Sequence, residues 1–193
     1  MSDAALLQAL PGWAFALGLV LARTAAAVML LPGFGETEIP AMVRAGFALA
    51  LTLLLLPALA PALPALPEAP LAALLLVADE LLAGATLGFM ARLAALALPA
   101  AGQILSAMIG LANVLQPDPV LGAQATPVSR LFGLAAPLLL LASGLHALAL
   151  SALVGSYAAW PPGQVPDGGI TAVVAAVSGF LVLAVRLAAP FLI

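Results

Sequence analysis

Asp79 and Glu80 stand side by side in a hydrophobic stretch that also carries Arg92, and an earlier apolar stretch carries Arg23. Ionisable side chains are expensive in hydrocarbon. In such stretches they pair with one another, face protein or line a path for ions and protons. A proton or ion relay through Asp79 or Glu80 is therefore one chemistry open to this chain. A structural use is the stronger reading, because adjacent residues point to different faces of a helix and no further acid follows three or four positions on. The acids then sit near the headgroups, or pair with Arg23 or another subunit. Arg23 can in turn pair with an acid or extend its charge to the interface. His146 is the sole histidine and there is no cysteine, so a metal ligand set is missing and no metal is expected. Ser143 lies close to His146, which raises intramembrane serine chemistry. That serine lacks a glycine two residues before it, however, and the histidine is too near on the same helix. There is no HExxH and no paired catalytic aspartate motif. No catalytic residue and no cofactor are expected.

The strongest local pattern is Gly102 to Pro119, GQILSAMIGLANVLQPDP. It places glycines, amides, two prolines and an acid at the centre of an apolar chain. Backbone that leaves regular structure at membrane depth survives only where it is buried in protein or lines a water-filled path. Pro117 and Pro119 flank Asp118, remove two hydrogen-bond donors and restrict the residues before them. The preceding helix must end by about Leu115. Met108, Ile109, Leu111, Val114 and Leu115 are apolar and mostly flexible, which suits a deformable seal. An ordinary solvent loop between two spans is the plainer alternative. Gly84 and Gly88 form a GxxxG, whose small residues let another helix approach closely, from this chain or from a partner.

The elements that carry these residues follow from composition. The chain has 193 residues, 65% of them hydrophobic and 7% charged, with mean hydropathy +1.27. That places it among integral membrane proteins. Eight acids, five arginines and no lysine give a pI near 4.7, which excludes a basic nucleic-acid face. No basic run marks a lipid-headgroup site, and β-branched residues are too scarce for a barrel. The expected fold is all-α: a multi-helix membrane protein with helices at about 13–31, 41–56, 71–98, 127–159 and 170–193, treated as one region over 1–193. A broken segment spans about 102–122. A Pro-rich linker runs through Pro57, Pro61, Pro64, Pro67 and Pro70, where closely spaced prolines favour extended backbone. The N-terminus has no basic residue, so its first apolar stretch is expected to stay in the mature protein rather than leave as a signal peptide. The final residues, RLAAPFLI, run without a cap or polar tail, and a longer parent protein is expected.

Taken in order, these residues resemble the R-subunit family of the flagellar and type III secretion export gate (FliR, or SctT in injectisomes). The resemblance covers essentially the whole chain. It rests on LARTAAAVMLLPGFGETEIPAMVRAGFALALTLLLLP (Leu21 to Pro57), ELLAGATLGFMARL (Glu80 to Leu93), AGQILSAMIGLANVLQPDPVLG (Ala101 to Gly122) and SGLHALALSALVGSYAAWPPG (Ser143 to Gly163). The family's Gln-Met-Gly turn reads Ala107-Met108-Ile109-Gly110 here, without the polar residue. The resemblance implies a non-enzymatic subunit of a bacterial inner-membrane, multi-pass export apparatus in the flagellar basal body. Its partners would be FliP, FliQ and FlhB-type subunits, membrane lipids and exported unfolded polypeptides, with no nucleic acid. It implies that a loop of this chain plugs the closed channel. Met108, Ile109, Gly110, Leu111 and Asn113 become plug candidates, with Pro117, Asp118 and Pro119 shaping the turn. Arg23, Glu36, Glu38, Arg44, Asp79, Glu80, Arg92 and His146 become buried, headgroup or intersubunit polar contacts. The competing reading is an ion or small-molecule transporter with Asp79, Glu80 or Asp118 as coupling acid. That class usually shows an internal repeat and paired broken helices, whereas one strong break and no convincing repeat are visible here. A pore-less assembly scaffold would need no loop at a channel axis.

Overall fold

An α-helix satisfies every interior backbone group within its own segment, which is what an apolar chain needs away from water. Among the described residues the fold is accordingly all-α apart from one small hairpin. The computed structural model describes residues 3–111, 116–118 and 122–163, and beyond them 171, 178–179, 182–187 and 189. The described elements are α1 (Asp3–Leu30), α2 (Ala41–Leu59), α3 (Pro70–Met108), β1 (Gln116–Asp118), β2 (Gly122–Ala125), α4 (Pro127–Ala142) and α5 (Leu145–Ala159), with a short 3-10 turn at Ala60–Ala62. Among the described residues three helical stretches are long and apolar enough to cross a membrane: Leu7–Leu30, Ala41–Ala62 and Pro70–Met108. α4 and α5 reach that length only when taken together across the break at Ser143–Gly144.

Several boundaries differ from the sequence expectation. α1 begins at Asp3 instead of about 13 and continues through Pro11. α2 runs past Pro57, which sits in its last turn, where a missing N–H costs little further helix. The extended linker is thereby shortened to the residues after the 3-10 turn. α3 is 39 residues long, so the helix expected to end near 98 continues through Pro99 and takes in Gly102–Met108. The break begins at Ile109, not at Gly102. The helix expected over 127–159 is two helices, divided at Ser143–Gly144, where Gly144 takes φ +77°. The expected helix at 170–193 lies mostly outside the described residues, of which 182–187 are helical.

The chain divides into two compact units. The first comprises Met1–Phe89 with Ala149–Gly169, the second Met90–Leu148 with Ile170–Ile193. In the first unit α1 and α2 form an antiparallel hairpin. The Thr24 and Thr52 hydroxyls meet at 2.6 Å, one donating to the other, and the accepting hydroxyl donates in turn to the carbonyl four residues back on its own helix, Val20 for Thr24 or Ala48 for Thr52. Toward the connecting turn the rings of Phe34 and Phe47 stack at 4.8 Å. Glu80, Gly84 and Gly88 recur every four residues and so form one stripe of α3. Along that stripe Glu80 and Gly84 meet Arg23, and Gly88 meets Ala27 and Leu30. The contacts advance along both helices together, so α1 and α3 run in the same direction, as the first and third passes of an up-down-up arrangement must.

In the second unit the C-terminal part of α3 packs on the start of α4. Ala101 and Leu105 are buried there, with Ile104 and Phe132 against them. β1 and β2 pair antiparallel within the α3–α4 connection, Gln116 opposite Ala125 and Asp118 opposite Gly122, with a bulge between the two pairs.

Candidate functional site

The first unit is organised around Arg23. Its side chain is fully buried, and so is that of Glu80. The Arg23 Nε donates to Glu80 Oε2 at 2.8 Å and Nη2 donates to Oε1 at 2.9 Å. This is the two-point guanidinium–carboxylate geometry that only arginine offers. Nη1 donates to Ser156 Oγ at 3.2 Å, and Nη2 also reaches the carbonyl oxygen of Trp160 at 2.9 Å. The guanidinium carbon lies 4.2 Å from the Tyr157 ring centre, a cation–π contact on the face left over. One side chain thus ties α1 to α3, to α5 and to the turn after it. Both charges are satisfied within this chain. Neither oxygen of Glu80 is left without a charged donor, so it is poorly placed to carry protons.

Close approach of the helices makes this possible. A Cβ on Gly84 would lie 2.1 Å from the Arg23 carbonyl oxygen, and one on Gly88 would lie 2.6 Å from Leu30 Cβ. No larger residue fits either position without moving α1. The remaining polar candidates are dispersed. Asp79, Arg44, Arg92 and His146 are each half-buried, and the Arg44 Nε is enclosed without a hydrogen-bond partner among the described residues. No group of three metal-ligating side chains gathers among the described residues.

The second unit carries the α3–α4 connection. α3 ends at Met108, and Gly110 follows at φ +76°, a left-handed conformation that a helix C-terminus commonly uses and that glycine adopts without strain. Met108, Ile109 and Leu111 are 64%, 59% and 39% exposed, an apolar tip presented outward. Pro117 and Asp118 lie in β1. Asn113 and Pro119, with Val114 and Leu115, lie outside the described residues.

Below this tip the structure is tight. Ser106 Oγ donates to Thr126 Oγ1 at 2.7 Å, and both residues are buried. Thr126 also caps α4, its hydroxyl accepting from the Ser129 N–H at 3.3 Å. Ser129 Oγ donates to the carbonyl oxygen of Pro99 at 2.8 Å, across from α4 to α3. A Cβ on Gly102 would lie 2.7 Å from Ser129 Cα, so the two backbones nearly touch. Sequence reasoning did not single out Ser106, Thr126 or Ser129, nor assign Ser156, Tyr157 and Trp160 to Arg23. The available signal was only that hydroxyls in apolar helices seek partners. Their partners lie 20 to 137 residues away, beyond any local pattern.

A family model described as bacterial export proteins, family 1, matches residues 14–193. The flagellar biosynthetic protein FliR of Caulobacter vibrioides is 33% identical over 183 residues, covering 91% of this chain and 70% of that protein.

Proposed function

The chain belongs to the family of bacterial export proteins, family 1, and from that premise we propose that it forms part of the export channel and supplies the apolar loop that seals it. At the coarser level it is a multi-pass inner-membrane subunit of the flagellar protein export gate, working in protein transport and flagellum biogenesis. The family is a structural component of the export apparatus, and no residue is assigned a catalytic role. In the proposed assembly the subunit contacts FliP, FliQ and FlhB-type partners, and unfolded polypeptides pass the loop formed by the α3–α4 connection.

The observation that carries this reading is the exposed tip Met108, Ile109 and Leu111 standing directly on the tightly packed start of the connection. Apolar side chains at a constriction exclude water and ions, and a methionine at the tip can yield around a passing chain. Deleting Met108–Leu111 from the full-length protein in its native cells is expected to raise entry of ions or a small dye, normalised to the amount of assembled export complex. Entry at the wild-type level would remove the plug assignment. The transporter alternative is weakened by the Arg23–Glu80 pair and would rest on Asp79 or Asp118. It requires Asp79→Asn or Asp118→Asn to abolish transport, whereas a channel subunit keeps exporting flagellar protein after either change.

A further inference from the structure

Asp79 and Glu80 adjoin in the sequence and part in the fold. Glu80 points at α1 and is buried in its two-point contact with Arg23. One residue earlier is about 100° around the helix, so Asp79 lies off that contact. It is half-buried, and no hydrogen bond or ion pair joins it to any described residue. Arg23, the cation at that level of the unit, is already committed to Glu80, Ser156 and the Trp160 carbonyl. The residues about one turn to either side of Asp79 are Leu75 and Leu82, which share its side of α3. They are 57% and 59% exposed. This side of α3 therefore presents a leucine, an acid and a leucine outward.

Its depth follows from the partner helix. Arg23 lies seven residues before the end of the apolar stretch Leu7–Leu30 and sixteen after its start. At 1.5 Å per residue, the level of the Arg23–Glu80 contact is about 10 Å from one end of that stretch and about 24 Å from the other. Asp79 sits at the same level. An ionised carboxylate facing hydrocarbon there is strongly disfavoured, and its side chain is too short to reach the headgroups as an arginine can. Leu75 and Leu82 alone would be content against lipid; the acid between them is not.

We infer that the Leu75–Asp79–Leu82 face of α3 docks an apolar helix of a neighbouring export-gate subunit, whose arginine or lysine pairs with Asp79 within the membrane. Charge complementarity selects this occupant. Lipid chains offer a carboxylate no donor, and an apolar helix without a cation leaves it unpaired. The adjacent acids then have separate tasks: Glu80 fixes α3 to α1 inside the subunit, and Asp79 fixes the subunit to its neighbour. That the neighbour is an export-gate subunit rests on the assembly proposed above, whereas the pairing rests on α3 itself.

The test uses the full-length protein in its native cells. A photo-cross-linking residue at Leu75 or Leu82 is expected to join a membrane helix of an export-gate subunit, within one turn of an arginine or lysine, as mapped by mass spectrometry. Asp79→Asn is expected to leave the thermal melt of the detergent-extracted subunit unchanged, in contrast to Glu80→Gln, and to speed its dissociation from the extracted complex about tenfold or more. Export per assembled complex is expected to stay at the wild-type level. Asp79→Arg is expected to lose the complex, and replacing the mapped basic residue of the neighbour by aspartate is expected to restore it. Cross-links to lipid alone, or wild-type dissociation of the Asp79→Asn protein, would overturn the inference. So would a cross-link back to this chain, or a melt lowered as far as that of Glu80→Gln, because Asp79 would then be paired internally. A mapped basic residue on a protein outside the export gate would leave the pairing standing and remove the assembly reading. Export lost per assembled complex with dissociation unchanged would overturn the docking role in favour of a coupling acid.

Discussion

Arg23 is worth more as geometry than as charge. Its guanidinium makes two bonds to Glu80, one to Ser156 and one to the Trp160 carbonyl, with Tyr157 against its face. Removing one member of a buried pair leaves an uncompensated charge and costs about 3–5 kcal/mol, whereas replacing both by apolar residues of similar size is often close to neutral. Glu80→Gln and Arg23→Gln are therefore each expected to lower the thermal stability of the detergent-extracted protein sharply. Arg23→Met with Glu80→Met is expected to recover a large part of the loss. Double-variant stability equal to the sum of the two single losses would mean the pair is not coupled. Arg23→Lys is expected to behave nearer to Arg23→Gln than to wild type, because an ammonium cannot span both carboxylate oxygens and the Trp160 carbonyl at once. In the sequence the two charges were visible as misfits in apolar stretches, and their mutual pairing was one of several options. Which acid met Arg23 was settled by the packing of α1 on α3.

Glycine spacing decides how closely the helices pack. The four-residue interval Glu80–Gly84–Gly88 makes one smooth stripe with an acid at its head, so the close approach and the ion pair are parts of the same contact. Gly84→Ala is expected to destabilise the protein by about 1–3 kcal/mol, since the new methyl meets backbone, which cannot swing aside as a side chain can. Gly46 on α2 is the control: a Cβ there meets nothing within 4 Å. Gly46→Ala is expected to leave stability unchanged or raise it by up to ~1 kcal/mol through better helix propensity. Thermal denaturation of the two variants side by side checks both, and equal effects would remove the packing role of the stripe. At this scale the sequence was legible for element type and less so for ends. The third helix is expected to end near 98, whereas in the fold α3 continues through Pro99 to Met108. The single helix expected over 127–159 is divided at Ser143–Gly144, where Gly144 takes a left-handed conformation.

For the molecule as a whole, the apolar surface is the dominant fact. On α2, Met42, Val43, Leu53 and Leu54 are all more than half exposed, a surface that a water-soluble monomer does not carry and that lipid or neighbouring subunits cover. α3, at 39 residues and about 1.5 Å per residue, is about 58 Å long, nearly twice a hydrocarbon core of ~30 Å. Alkaline carbonate washing is expected to leave the protein in the membrane pellet. Purification of the tagged full-length protein in mild detergent is expected to bring FliP, FliQ and FlhB-type subunits with it, and recovery of a solitary species would count against the proposed assembly. The sequence by itself determined the class, the helical content, the family and the existence of a break after a long apolar helix. These follow from composition, periodicity and the order of short motifs, all of which are local properties. Only the tertiary structure decided that the break starts at Ile109, that Glu80 is the acid held by Arg23, and that Ser106 on α3 bonds Thr126 at the start of α4. Those outcomes depend on which helix faces meet, and that is fixed by packing between residues far apart in the chain.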